Sequence, residues 1–147
     1  MKDAFGGILN IVLVAIFLVI VAGILGLVVN YTKAFRMKNT VISTIEQYEA
    51  ADSCFGVGSA TGCREKIEER SREFGYHPAE LSCPSDFSNA YDLFCYKQTT
   101  SDSGKNYVYT IITQVDIDIP IINKMMGLSI FQVHGDTRAI KKSIISR

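Results

Sequence analysis

The chain has no tryptophan, only three prolines and two histidines, and no excess of either charge: fifteen Lys and Arg balance fifteen Asp and Glu over 147 residues. Zero net charge without an arginine-rich run removes the electrostatic footprint of nucleic-acid binding, so no nucleic-acid partner is expected. With only His77 and His134 to supply imidazole and no C-x2-C pair, metal-ligand spacing is absent. The sequence also lacks a phosphate-cradling glycine loop, an H-E-x-x-H motif and a recognisable nucleophile motif. His134 stands beside Gly135 and Asp136, yet a catalytic site needs more elements than this, and a solvated histidine near a strand end is the simpler reading. Asp116 and Asp118 point the same way on a strand, but two carboxylates without a glycine-bearing ligand loop make a wet strand face, not a calcium site. The expectation is a non-enzymatic protein with no catalytic, cofactor-binding or metal-ligating residues, and no cofactor.

Polar side chains are also missing from Ile11 to Val29, IVLVAIFLVIVAGILGLVV. As a helix this run spans roughly 28 Å, close to the ~30 Å hydrocarbon thickness of a bilayer. It has no wet face, so it belongs in lipid or in a core larger than this chain can build. The run exceeds the length of a signal-peptide core, and Asn30 to Arg36 offers no small-x-small cleavage site. Residues 1–30 therefore read as an N-terminal tail and transmembrane anchor, and 31–147 as an extracytoplasmic domain.

Cys54, Cys63, Cys83 and Cys95 all follow the span. An even number in a small membrane-attached domain favours two disulfides and an oxidising compartment; the alternative is four unpaired thiols in a cytosolic domain. Of the three connectivities, Cys54–Cys63 with Cys83–Cys95 closes two short local loops. Lys33, Arg36 and Lys38 after the span oppose this topology by the positive-inside rule. They lie on a continuing helix and can snorkel to the headgroups of either leaflet, so the cysteines take precedence. The chain is read as single-pass in the cell membrane, N-terminus inside and domain outside.

Past Tyr31 the helix continues to about Ala50, with Val41, Ile42, Ile45 and Tyr48 on one face. A second helix is predicted over 62–74, with Thr61 placed to cap it and Gly75 to stop it in the left-handed conformation. His77 to Asn89 reads as irregular. Three strands follow: Tyr91 to Thr99, Tyr107 to Ile119 ending at Pro120, and Leu128 to Ile140. In the second, the face carrying Tyr109, Ile111 and Val115 is apolar, and the face carrying Thr110, Gln114 and Asp116 is wet. The fold class is α+β: a long N-terminal transmembrane helix extending into a small domain with a second helix and a C-terminal three-strand antiparallel meander, which the long helix covers on one face.

A long N-terminal helix, a cysteine loop and such a meander resemble type IV pilin architecture. The ending, Tyr107-Val108-Tyr109 through Val115-Asp116-Ile117-Asp118-Ile119-Pro120, then Gly127-Leu128-Ser129-Ile130 and Val133 to Arg138, resembles the TadE/TadG-like pseudopilins. The resemblance implies a structural component of a Tad-type pilus or related secretion apparatus at the bacterial cell surface. Its partners would be membrane lipid and other pilin-like subunits or assembly proteins, with homo-oligomerisation in its repertoire. It also implies leader cleavage at Gly6-Gly7, although these glycines equally suit a flexible lead into the helix. The fifth residue beyond Gly7 is Val12, and beyond Gly6 it is Ile11, where pilins carry a glutamate; this departure weighs against a major polymerising subunit.

Two further groups stand out. Ala15, Ala22 and Gly26 lie on one stripe of the span, where small residues permit close helix packing in lipid, though such residues are common in any span. Ile121, Ile122, Met125 and Met126 fit a core beneath a loop better than a membrane-dipping segment. The rival function is a monomeric membrane-anchored domain that displays a tyrosine-rich sheet for binding or adhesion.

Overall fold

A computed structural model of the chain describes residues 2–48, 54–55, 61–101, 104, 106–116 and 130–141, with side chains from residue 6 onward except at 61, 116 and 130. Helix α1 runs unbroken over Lys2–Gln47, 46 residues, or about 69 Å at 1.5 Å per residue. It contains no proline, and it passes straight through Gly6 and Gly7, so the glycine pair forms part of the helix and not a flexible lead into it. The first buried residue is Ala34; Met37, Val41, Thr44 and Ile45 follow at three- and four-residue steps. That spacing keeps one stripe facing the domain while the opposite side stays wet.

Helix α2, Thr61–Phe74, starts at the residue expected to cap it, and its Cys63, Ile67 and Ser71 are buried against α1. Gly75 ends it with φ +60°, the left-handed stop that a residue without Cβ adopts without steric cost. The Tyr76 N–H then donates to the Ser71 carbonyl at 2.9 Å and the Ser71 hydroxyl to the Tyr76 carbonyl at 2.6 Å, which satisfies the turn internally.

The second half forms one antiparallel sheet in the order β1-β2-β3-β4, built from Ser88–Ala90, Phe94–Thr100, Asn106–Asp116 and Ile130–Asp136; β5, Ile140–Lys141, also pairs with β3. The sheet therefore differs from a three-strand meander at both ends. The first expected strand divides because Tyr91 and Asp92 adopt φ 58° and 56°, with the Leu93 N–H bonded to the Ala90 carbonyl at 3.1 Å. Two consecutive left-handed residues are what a type I′ turn requires. They fold Ser88–Ala90 back onto Phe94–Tyr96 as an additional strand. The last expected strand breaks at Thr137. Its N–H donates to the Tyr109 carbonyl at 2.9 Å and its hydroxyl accepts the Tyr109 N–H at 3.0 Å, so a side chain replaces a backbone rung between β4 and β5. The part of the second expected strand beyond Asp116, the start of the third, and Ile121, Ile122, Met125 and Met126 lie outside the described residues.

Helix α1 runs antiparallel to β3. The Thr113 hydroxyl donates to the Ala34 carbonyl at 3.1 Å. Further along the helix, Lys38 and Ile42 meet Gly135, which pairs with Ile111. Glu46 reaches Arg138, next to the Thr137 that bonds Tyr109. As helix numbers rise, β3 numbers fall. The paired ends Asp116 and Ile130 thus lie at the same end of the sheet as Ala34, where the apolar half of α1 departs.

Tyr109, Ile111, Thr113 and Val115 face α1 and are buried. The opposite face is not uniformly wet, which corrects the expectation for Gln114. Ile112 and Gln114 are 0% and 1% exposed because the segment after α2 crosses that face. The Gln114 amide donates to the Ser82 carbonyl at 2.6 Å and accepts the Ser82 N–H at 3.1 Å. The Gln114 N–H, which lies beyond the last β2 partner of β3, is taken by the Tyr76 hydroxyl at 3.0 Å.

Candidate functional site

Among the described residues no group of three or more His, Cys, Asp or Glu is placed to hold a metal. His134 is exposed on β4, opposite Ile112, and His77 is exposed in the segment after α2. The side chain of Asp116 and all of Asp118 lie outside the described residues. What distinguishes the molecule is the first half of α1, and the candidate site is that segment with the foot of the domain it enters.

From Gly6 to Lys33 no residue of α1 is buried, and Ile11, Leu13, Phe17, Leu18 and Leu25 are each more than half exposed. Monomeric soluble proteins rarely expose contiguous apolar surface of this extent, which marks a membrane or protein contact. Helix α1 is the one helix among the described residues long and apolar enough to cross a membrane. Ala15, Ala22 and Gly26 are exposed, and a Cβ on Gly26 would meet nothing within 4 Å. The same holds for Gly6 and Gly7.

The transition to the domain takes little more than one helical turn. The rings of Tyr31 and Phe35 stack with centroids 6.3 Å apart, and the Lys38 ammonium lies 4.3 Å from the Phe35 centroid. Both rings are exposed. A cleft of about 330 Å3 opens between α1 and the last turn of α2, with Val28, Lys33, Arg36 and Phe74 in its walls. A second, of about 220 Å3, lies between Asn30, Lys33 and the Tyr76–Pro78 turn. Lys33 separates the two.

The domain is fastened at its other sites by the cysteines. Cys54 is bonded to Cys63 and Cys83 to Cys95, the two local loops favoured by the spacing, and no described cysteine is free. The first bridge holds Phe55 against Phe94 and Tyr96, with centroids at 5.8 and 4.3 Å, and the Tyr91 hydroxyl donates to the Cys54 carbonyl. The Arg64 guanidinium lies 4.8 Å from the Tyr91 centroid and binds Glu68 at 2.7 Å; the hydrogen bond and charge of Glu68 raise its pKa further. The second bridge ties the Ser82 segment to β2. Beside it Lys97 binds Asp86 at 3.2 Å, and that hydrogen bond, with help from Ser85, lowers the Asp86 pKa.

Sequence reasoning located the long apolar helix and the cysteine pairs but missed Gln114 and the Tyr76 hydroxyl. An isolated glutamine on an alternating strand gives no signal that a distant segment covers it. Comparison with protein-family models, with curated proteins and with solved structures finds no match for this chain.

Proposed function

We propose that the protein is a structural, pilin-like subunit, a pseudopilin component of a Tad-type pilus or related secretion apparatus, anchored and assembled through its N-terminal helix. One observation carries the reading: a single helix is apolar and exposed through its first half and forms the spine of an α+β domain through its second. An anchor joined to a display domain by a flexible linker would leave the two free to reorient. Here one unbroken helix runs from the apolar segment into the domain, which suits a subunit whose helices pack side by side while its domains stand outward. The two disulfides support placing that domain in an oxidising compartment outside the membrane, with the N-terminus inside.

Lateral packing makes the small-residue stripe the sensitive face. Gly26→Leu and Ala22→Leu keep the helix apolar, so insertion survives, while a second helix loses its close approach. Ile24→Phe, on the opposite side of the helix, adds bulk where no contact is proposed. Crosslinking in native membranes should yield adducts for wild type and Ile24→Phe and severalfold fewer for the two stripe variants. Equal yields for all, or no adduct in wild type, would favour the monomeric display domain.

A further inference from the structure

The cleft between α1 and the end of α2 joins an apolar wall to a cationic rim. Val28, Val29 and Phe74 form the wall; Lys33 and Arg36 form the rim. Neither cation has an ion-pair partner among the described residues, whereas the one carboxylate in the cleft, Glu73, is already bonded to Arg70. The lining therefore carries two cations without an ion-pair partner among the described residues and one carboxylate that is paired outside the cleft, a net positive charge. Its height fits a headgroup. Lys33 and Arg36 lie about 6 and 10 Å beyond Val29 along the helix, and the headgroup layer adds roughly 5–7 Å beyond the hydrocarbon on each side, within reach of both long side chains.

We propose that this cleft seats the phosphodiester of an anionic phospholipid from the leaflet next to the folded domain. Lys33 and Arg36 hold the phosphate, and Val28, Val29 and Phe74 lie against the glycerol and the first acyl methylenes. The proposal rests on the reading of α1 as a membrane anchor. Because α2 supplies Phe74, the lipid bridges the anchor and the domain and fixes the angle at which the helix leaves the bilayer.

The test uses the full chain in nanodiscs, of phosphatidylcholine alone or of phosphatidylcholine with phosphatidylglycerol, with co-purifying lipid read by native mass spectrometry after detergent release. Phosphatidylglycerol should be retained in preference to phosphatidylcholine. Lys33→Gln and Arg36→Gln should each lower that retention about fivefold, the equivalent of ~1 kcal/mol per basic residue beside an anionic surface. Arg72→Gln, which removes an exposed charge from the same turn of α2 outside the cleft, should leave it unchanged. Equal losses in all three variants, or equal retention of the two lipids, would overturn the site while leaving the anchor intact. Displacement of the lipid by millimolar inorganic phosphate would show a free-anion site and overturn the lipid assignment. A chain that fails to enter nanodiscs would overturn the anchor and the site together.

Discussion

Glu46 holds Arg138 twice: its carboxylate accepts the Arg138 backbone N–H at 2.8 Å and the guanidinium Nε–H at 2.9 Å. The helix thereby satisfies a backbone donor at the point where the last strand is interrupted. The two halves of this contact differ in energy. The Arg138 side chain is 83% exposed, where an ion pair contributes little. The backbone N–H is a donor with a fixed partner, whose loss costs about 1–2 kcal/mol. Chemical denaturation should show Glu46→Ala markedly destabilised, Glu46→Gln less so because the amide oxygen still accepts, and Arg138→Ala nearly unchanged. An Arg138→Ala cost equal to that of Glu46→Ala would place the energy in the ion pair.

Gly135 lets α1 approach the sheet. A Cβ there would stand 2.8 Å from Ile42 Cδ1 and 2.7 Å from Lys38 Cδ. The lysine can swing outward; the isoleucine, partly buried against the core, has less room to move. Gly135→Ala should cost about 1–2 kcal/mol by overpacking, and Ile42→Val in the same chain should recover part of it by removing the methyl in the way. A double variant no better than the sum of its singles would show that the contact is not the cause.

Gln114 and Ser82 exchange two hydrogen bonds beneath the strap that Cys83–Cys95 closes. Gln114→Leu keeps the apolar volume but removes the partner of the Ser82 N–H and leaves the Ser82 carbonyl only the Gln132 amide at 3.4 Å, at about 1–2 kcal/mol. Hydrogen exchange should show the Ser82 amide losing protection while amides in the paired centre of β3 and β4 keep theirs. Unchanged exchange at Ser82 would mean that the disulfide alone holds the strap.

Asp86 titrates below its ordinary value of 3.8 because Lys97 donates to its carboxylate. A depressed folded-state pKa contributes stability above the unfolded value, and this contribution is lost as pH falls through the folded pKa. The pair is open to solvent, so the effect is expected in the titration curve and not in the overall stability. Carboxyl chemical shifts should place the Asp86 midpoint below 3.8 in wild type. Lys97→Gln should raise it towards the ordinary value, and an unmoved midpoint would assign the shift to Ser85.

The long apolar helix, the second helix and the local disulfide loops were legible in the sequence because each follows from a short-range rule: apolar length, three- and four-residue spacing, a glycine stop, loop size. Interruptions of strands were not. Tyr91 and Asp92 carry neither glycine nor asparagine, and their turn is held by Asn89, whose side-chain oxygen takes the Asp92 N–H at 3.0 Å and whose amide donates to the Asp92 carboxylate at 2.7 Å. Thr137 reads as an ordinary strand residue until Tyr109 is placed opposite it. The cleft at the foot of α1 likewise needs Phe74 beside Val28, 46 positions away in sequence, and no local pattern announces that meeting.

The antiparallel run of α1 against β3 has a mechanical side. A force drawn along the exposed apolar half of α1 acts parallel to the helix–sheet boundary, so it meets Ala34, Met37, Val41 and Ile45 in shear. Contacts loaded this way share the strain and yield together, whereas contacts loaded by peeling fail one after another. The domain thus resists traction on the N-terminal half of α1 as a unit, and a torque that lifts the helix away from the sheet is the direction in which it is weakest.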